Sequence, residues 1–264
     1  ANLLKITCVM VCSCIGTQLV WADKTNSESI TDTAMGTDCS VRVFGSDGTA
    51  KDIMDMLSDI ENKYLSWRIE GSDIANINEN ASESEPVMPS KWTYSYLENV
   101  LDLARKSSGA FDPTLGRVSQ LWNLESDNPY IPSKSELTEL LLETGWEKIN
   151  LGDGEMFLKD GVQIDLGAVG KGIGCDEARK MLEEADANAA VVSVGGSILT
   201  YGKKPDGKPW KIGIANPRNE DGESYLGSLT IDGTCSISTS GEYEKYVIEN
   251  DVRYHHILDP KTGY

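Results

Sequence analysis

Apolar residues recur at helical spacing in the first half of the chain. The stretches from Thr49 to Leu65 and from Pro89 to Ser107 each place large apolar side chains three or four residues apart. Ser133 and Glu136 form a capping box ahead of a third apolar run, which Gly145 ends. The first half is therefore predicted to consist largely of amphipathic helices.

The hydrophobic period changes to two from about Met156. Apolar residues then alternate with polar ones between turn-forming pairs, at Val162, Ile164 and Leu166, at Val192 and Val194, at Ile212 and Ile214, and at Leu229 and Ile231. One helix is predicted over 173–185, directly after a glycine-rich turn over 167–172, and a last hairpin is predicted to turn at Asn250 and Asp251. These elements predict one compact α+β domain, with a helix-rich first half and a largely antiparallel or mixed sheet in the second.

The first 22 residues have the pattern of an export signal. Leu3 to Ala22 are mostly apolar with Lys5 as the one charge, and a polar segment over 23–33 follows. Cleavage after Ala22 and lipoprotein processing at Cys14 are alternative fates, and a membrane anchor is a third. We expect the sequence to begin inside this signal, residues 23–33 to be a polar tether, residues 34–264 to form the domain, and the protein to be periplasmic at the inner membrane.

Composition narrows the function classes. The 264 residues include 42 acidic and 24 basic side chains, a formal charge of −18, which disfavours binding to nucleic acid phosphates. Any anionic ligand then needs a local cation, either a metal ion or a placed lysine. Cys39, Cys175 and Cys235 lie beyond the signal; they form no disulfide framework or zinc spacing and are expected to be small core residues, although one pair could form a disulfide.

The run from Gln163 to Gly172 carries the clearest chemical signal. Its glycines let a ligand approach the backbone, a helix N-terminus offers free N–H groups to phosphate oxygens, and Lys171 adds a positive charge. The spacing fits neither a P-loop nor a dinucleotide-binding Gly-x-Gly-x-x-Gly motif. We interpret the run as a phosphate site. Asp165 is expected to face the ligand; the alternative is that it caps the helix.

Two other segments suit a flat aromatic ligand. Ala110, Phe111 and Asp112 combine a ring with a carboxylate before a proline, which would allow stacking on a ring and hydrogen bonding to its edge. Trp67 is a second stacking candidate. The alternatives are an ordinary Asp-Pro turn with a buried Phe111 in the first segment and a core position for Trp67 in the second.

His255 and His256 are the two histidines of the chain. Neighbouring strand residues face opposite sides of a sheet, so only one of the two can point into a given site. A histidine there could accept a proton from an attacking hydroxyl, or could be purely structural.

Taken together, these segments resemble the FAD:protein FMN transferase family, also called ApbE and formerly labelled a thiamine biosynthesis lipoprotein. The resemblance covers most of residues 34–264. It rests on the following motifs in order: Met35-Gly36-Thr37; Ser66-Trp67 with Ser72 to Ala75 and Ile77-Asn78; Phe111 to Thr114 with Gly116 and Leu121-Trp122; Ile164 to Gly172; Gly195-Gly196; Pro205 to Gly207 with Pro209-Trp210 and Ile212 to Ile214; Thr239 to Gly241; and His256 to Gly263.

The resemblance implies a site, a reaction and partners. It implies that FAD is bound by Met35, Trp67, Ala110, Phe111, Asp112, Asp165, Lys171 and Ile257, and that the Ala168 carbonyl helps to hold Mg2+. The implied reaction joins FMN to a threonine or serine hydroxyl of a target protein and releases AMP. Typical targets are membrane subunits of ion-pumping NADH:quinone or ferredoxin-linked electron-transfer complexes. His256 is our candidate base, and Asp165 is expected to position the cofactor or the metal.

Three departures from the family pattern qualify this interpretation. Trp67 stands where tyrosine is common, Ser197 stands where an acidic residue is frequent, and members of the family continue past the position of Tyr264 into a segment whose Asp and Thr supply further Mg2+ ligands. We expect this chain to be truncated before that segment. Two other functions stay open: a metal-dependent FAD pyrophosphatase and an exported flavin-binding module without turnover.

Overall fold

A computed structural model describes residues 27–124, 126–218, 224–243 and 245–264. The α+β class is confirmed, and every strand pair in the described residues is antiparallel. The chain divides into two compact units: unit 1 comprises the residues up to Ile60 and Gly170–Gly241, and unit 2 comprises Glu61–Val169 and Glu242–Tyr264.

The elements follow one another along the chain as β1 (Ser27–Ala34), β2 (Thr37–Phe44), α1 (Thr49–Asp59), α2 (Asp73–Asn80), α3 (Lys91–Lys106), α4 (Gly116–Trp122), α5 (Lys134–Leu141), β3 (Ile149–Gly152), β4 (Glu155–Leu158), α6 (Gly167–Glu184), β5 (Ala189–Val194), β6 (Ser197–Gly202), β7 (Trp210–Ala215), β8 (Tyr225–Ile231), β9 (Cys235–Ser238), β10 (Tyr246–Glu249) and β11 (Val252–His255). A π-helical turn (Ile60–Leu65) continues α1, and a 3-10 turn (Trp146–Lys148) precedes β3.

Unit 1 is built on a five-stranded sheet in the order β1-β2-β5-β6-β9, with a separate β7–β8 hairpin. Alternate residues of β2 and β5 point to one face, so that Val41 and Val192 are fully buried there. Ile53 and Leu57 of α1 and Leu182 of α6 pack into the same apolar cluster. This core fixes the position of the helix that carries Lys171.

Unit 2 is mainly helical, with the β3–β4 and β10–β11 hairpins attached. Its α4–α5 core is centred on Trp122, which is 1% exposed and packs with Val118 and Leu137. The predicted capping box at α5 is confirmed, because Ser133 and Glu136 each bond the other's backbone N–H. The predicted hairpin turn is also confirmed: Asn250 and Asp251 have φ values of 48° and 62°, the left-handed conformation that a two-residue hairpin needs.

The structure corrects three predictions about the fold. Residues 27–33, predicted as part of a tether, form β1 and pair with β2. Residues 162–166 alternate in burial but form no strand, only a single bridge between Leu115 and Gln163. The glycine-rich run over 167–172 is not a turn, since α6 begins at Gly167 and none of its glycines has a positive φ.

Cys39 and Cys175 are buried, as expected of core residues, whereas Cys235 is exposed at the start of the edge strand β9. None of these three cysteines forms a disulfide. The predicted export signal lies outside the described residues, and within the described ranges no helix has the length and apolar character needed to cross a membrane.

Candidate functional site

Asp165 stands at the entrance to α6 in unit 2. Its carboxylate oxygen Oδ1 accepts a hydrogen bond of 2.8 Å from the N–H of Gly167, the first residue of the helix. Its own N–H donates to the Pro113 carbonyl at 2.9 Å. The carboxylate therefore caps the helix, as the alternative interpretation expected, and its negative charge sits at the positive end of the helix dipole.

Asn78 holds the extended segment that leads to Asp165. Its side-chain amide donates to the Ile164 carbonyl at 2.9 Å and accepts from the Ile164 N–H at 2.7 Å, so it supplies both backbone partners of a fully buried residue. On the neighbouring side, Gly116 allows close approach, since a Cβ there would lie 2.8 Å from the Gln163 carbonyl oxygen. These contacts replace the missing sheet partner and fix where Asp165 emerges.

The turn at Asp112 is closed by its own carboxylate. One oxygen accepts from the Thr114 N–H at 2.9 Å and from the Thr114 hydroxyl at 2.5 Å, and the other accepts from the Trp146 N–H at 3.2 Å. Ala110 is exposed and Phe111 is partly buried in the same turn. The structure therefore shows a turn-building role for Asp112, whereas its predicted contact with a ring edge stays a prediction.

Trp67 is a partly buried aromatic residue in unit 2. The Arg68 guanidinium lies 4.0 Å from the ring centroid, a cation–π contact that covers one face. The indole Nε1 is buried and has no hydrogen-bond partner among the described residues. Since buried N–H groups are almost always paired, this donor is suited to an acceptor on a bound molecule.

His256 follows directly after β11 and is exposed. Its Nδ1 lies 3.3 Å from the Lys245 carbonyl oxygen, which can only accept, so Nδ1 is the donor in this hydrogen bond. The Nδ1 of His255 accepts a hydrogen bond from the N–H of Ile257, a residue that is 42% exposed. The role of His256 as a base therefore stays a prediction, and its Nδ1 contact with the Lys245 carbonyl is consistent with that role.

The segment after His256 is anchored to the core of unit 2. The indole of Trp122 donates to the Gly263 carbonyl at 2.7 Å. Within its turn, Asp259 accepts three backbone N–H groups, two on its carbonyl and one on its carboxylate. The ring centroids of Tyr254 and Trp122 lie 5.4 Å apart. This anchoring holds the backbone on both sides of His256.

In unit 1, Met35 and Lys171 are the predicted ligand-binding residues. Met35 occupies the β1–β2 turn with a φ of 55°, and its sulfur lies 3.2 Å from where a Cβ would stand at Gly174, so the absence of a side chain there lets α6 pack against the turn. Lys171 is partly buried, and none of the described residues places a carboxylate within ion-pair distance of its ammonium. Its Nζ lies beside Gly195 and Thr37.

The sequence interpretation assigned no role to Asn78, Thr37 or Gly195. Each belongs to a motif that supports the family resemblance, but the contacts that give it a role join residues far apart in the chain. The predicted ligand-binding residues divide between the two units: Met35 and Lys171 belong to unit 1 and the others to unit 2.

Oxygen donors near the start of α6 fit a hard cation such as Mg2+, which prefers carboxylate and carbonyl ligands and keeps several waters. They are the Asp165 carboxylate and the backbone carbonyl of Ala168, whose oxygen has a second lone pair beyond the one that a helical hydrogen bond uses. The described ranges contain no cluster of three or more acidic, histidine or cysteine side chains. An ion here would thus need ligand phosphates and water to complete its shell.

The model of the ApbE family matches residues 35–264. The chain belongs to the ApbE family. This ApbE-family chain is 32% identical over 252 residues to the FAD:protein FMN transferase of Treponema pallidum, covering 87% of this chain and 68% of that protein. It is 30% identical over 226 residues to the enzyme of the same name from Haemophilus influenzae, covering 83% of this chain and 65% of that protein. It therefore spans about two thirds of the length of these relatives.

Solved ApbE structures share the fold. The ApbE protein of Thermotoga maritima has a TM-score of 0.81 at 34% identity, and the flavin transferase ApbE of Vibrio cholerae has 0.77 at 26% identity; in both cases 90% of this chain and 78% of the other are covered. The family resemblance inferred from the sequence motifs is thus confirmed, and the chain is a member of a family of transferases.

Proposed function

We propose that this chain transfers the FMN half of FAD to a threonine or serine hydroxyl of an acceptor protein and releases AMP, in a Mg2+-dependent reaction. Family membership supports the activity, since the relatives from Treponema pallidum and Haemophilus influenzae are named FAD:protein FMN transferases. The observation that carries the proposal is Lys171, a partly buried ammonium without a carboxylate partner in the described residues. In a chain of net charge −18, such a local positive charge favours the binding of an anionic ligand at this position.

The transfer conserves atoms and charge. The acceptor oxygen attacks the phosphorus on the riboflavin side of the FAD diphosphate, a new P–O bond forms, and the bond to the AMP phosphate breaks. His256 accepts the hydroxyl proton through Nε2, because Nδ1 is engaged with the Lys245 carbonyl. Lys171 stabilises the charge on the phosphate oxygens.

Each remaining predicted residue has a proposed contribution to FAD binding. Trp67 offers its unpartnered indole N–H, and Phe111 offers a ring at a turn that the Asp112 carboxylate holds rigid. Met35, Ala110 and Ile257 would add apolar contacts. Asp165 and Ala168 would hold Mg2+, which neutralises charge on the diphosphate when bound.

The proposed cellular setting follows from the sequence interpretation. We propose that the protein acts in the periplasm, held at the inner membrane through a lipid on Cys14 or released after Ala22. Membrane subunits of NADH:quinone or ferredoxin-linked ion pumps are the proposed acceptors. Mass spectrometry of the mature N-terminus tests the processing proposal, and a mature protein that still contains Leu3 would refute both cleavage after Ala22 and processing at Cys14.

The test of the activity separates transfer from hydrolysis. Full-length protein is incubated with FAD and Mg2+, with and without an acceptor domain, and AMP, free FMN and acceptor mass are measured together. The proposal predicts AMP formation that depends on the acceptor and matches the bound FMN. Free FMN formed equally fast without acceptor would indicate a pyrophosphatase, and unreacted FAD would indicate a binding module.

A further inference from the structure

In unit 1, two side-chain donors lie on either side of the space next to a glycine. Any other residue at the position of that glycine would place its side chain in this space. We propose that Thr37 binds the same FAD phosphate group as Lys171, and that Gly195 keeps this pocket open. The proposal rests on the proposed function, and it adds a specific phosphate-binding residue and the backbone feature that makes room for the ligand.

The geometry centres on one point in space. A Cβ built at Gly195 would lie 2.6 Å from the Thr37 hydroxyl oxygen and 3.2 Å from Lys171 Nζ. Both polar atoms therefore flank the same small space, yet no hydrogen bond joins them or pairs either with another described residue. An oxygen atom that accepts from both would satisfy them together.

The chemistry of the pair selects a phosphate. A hydroxyl and an ammonium are both donors when they face an anion, and a phosphate oxygen accepts from several donors at once. Lys171 also lies in the opening turns of α6, where the helix dipole favours negative charge. Since the described residues bring no carboxylate within ion-pair distance of this ammonium, an anionic ligand would gain its full electrostatic attraction.

The surrounding backbone holds the three residues in place. Thr37 begins β2 and pairs with Ala34 across the β1–β2 turn, and the Gly195 N–H donates to the Asp38 carbonyl at 3.0 Å. Gly195 has a φ of 54° in the β5–β6 turn, a left-handed conformation that favours glycine. On the other side of this turn, Thr239 donates its N–H to the Gly196 carbonyl at 2.8 Å. The pocket is thus built from connections at one end of the main sheet.

A purely structural role for Thr37 predicts a different response to substitution. A strand residue needs no hydroxyl for pairing, and valine has the same shape with a strong strand preference. Thr37→Val should therefore fold normally, and any loss of ligand affinity reports the hydroxyl. Thr31→Val, on the exposed part of β1, is the matched control for the same chemical change.

The test measures the FAD dissociation constant of the full-length protein by flavin fluorescence. We expect Thr37→Val to raise the dissociation constant about tenfold, since a hydrogen bond to a charged group is lost. Thr37→Ser should recover most of the affinity, and Thr31→Val should match wild type.

A double variant tests whether the two residues bind one group. In a Lys171→Met background, Thr37→Val should change the constant less than about twofold, because residues that bind one group are coupled. Wild-type protein that binds no FAD would overturn the proposed function, whereas normal FAD binding by Thr37→Val, or full additivity with Lys171→Met, would overturn only the role of Thr37.

A second variant tests the open space itself. Gly195→Ala places a methyl group between the two donors and should weaken FAD binding at least about tenfold, through loss of the same charged hydrogen bonds. Gly207→Ala is the control for backbone strain, because Gly207 has a φ of 72° with no atom within 4 Å of an added Cβ. Equal FAD affinity in the folded Gly195→Ala and Gly207→Ala proteins would contradict the proposed pocket.

Discussion

The side-chain amide of Asn78 satisfies both backbone hydrogen-bonding groups of Ile164, a residue 86 positions away in the chain. This contact does for residues 162–166 what a neighbouring strand would do in a sheet. It also sets the start of α6, because Asp165 and the helix follow at once. The local fold of unit 2 and the proposed chemistry therefore share one polar anchor.

Removal of this anchor should destabilise the protein strongly. Asn78→Ala leaves a buried N–H and a buried carbonyl without partners, which should lower the free energy of unfolding by about 2 to 4 kcal/mol. Denaturant unfolding of the purified protein measures the change. Asn80→Ala, at the exposed end of the same helix, is the control and should cost less than about 1 kcal/mol. Equal costs for the two variants would contradict the role of Asn78.

Substitutions at Asp165 should separate its capping role from its charge. Asparagine can still accept from the Gly167 N–H, so Asp165→Asn should keep the stability within about 1 kcal/mol. FMN transfer should nevertheless fall by about tenfold or more, because a neutral amide is a poor Mg2+ ligand. Unfolding curves and transfer rates are measured on the same preparation, with Asp165→Ala as the variant that loses both. Full activity in a stable Asp165→Asn protein would show that capping is its whole role.

Loss of the proposed base should slow the reaction without weakening FAD binding. His256→Ala is expected to reduce the transfer rate by about a hundredfold or more, the range for removal of a general base. The FAD dissociation constant should stay within about twofold of wild type, as judged by fluorescence titration. His255→Ala is the matched control for a neighbouring imidazole. An unchanged rate in His256→Ala would remove the base assignment.

The thiols of Cys39, Cys175 and Cys235 should differ sharply in their rates of alkylation. Burial raises the pKa of the Cys175 thiol to about 12, so that at pH 8 almost none of it is thiolate, whereas Cys235 is exposed. Iodoacetamide at pH 8 should modify Cys235 in the native protein and leave Cys39 and Cys175 unmodified until denaturant is added. Peptide mass mapping identifies the modified residues, and Cys235→Ser should remove the fast reaction among these three. Rapid alkylation of Cys175 in folded protein would contradict its burial.

Local signals in the sequence predicted the elements that local interactions stabilise. The α5 capping box needs only Ser133 and Glu136, and the last hairpin needs only the turn at Asn250 and Asp251. The predicted start of α6 was wrong because the four glycines in its first half disfavour a helix in isolation. In the folded chain, capping by Asp165 and close packing at Gly174 stabilise the helix.

Tertiary contacts account for what sequence patterns could not predict. The residues of β1 are mostly polar because it is an edge strand, so its pairing with β2 left no hydrophobic alternation to detect. Similarly, residue types and motifs indicated Lys171 as a phosphate ligand, but the convergence of Thr37, Lys171 and Gly195 joins three distant segments. No periodic pattern encodes such a contact.

Intact mass spectrometry of the acceptor protein tests the central claim most directly. Full-length enzyme, FAD, Mg2+ and an acceptor domain are incubated, with an acceptor whose target threonine is replaced by valine as the control. The account predicts that the acceptor gains the mass of one FMN unit with release of one AMP, and that the valine variant gains nothing. An acceptor that keeps its original mass while the enzyme binds FAD and Mg2+ would contradict it.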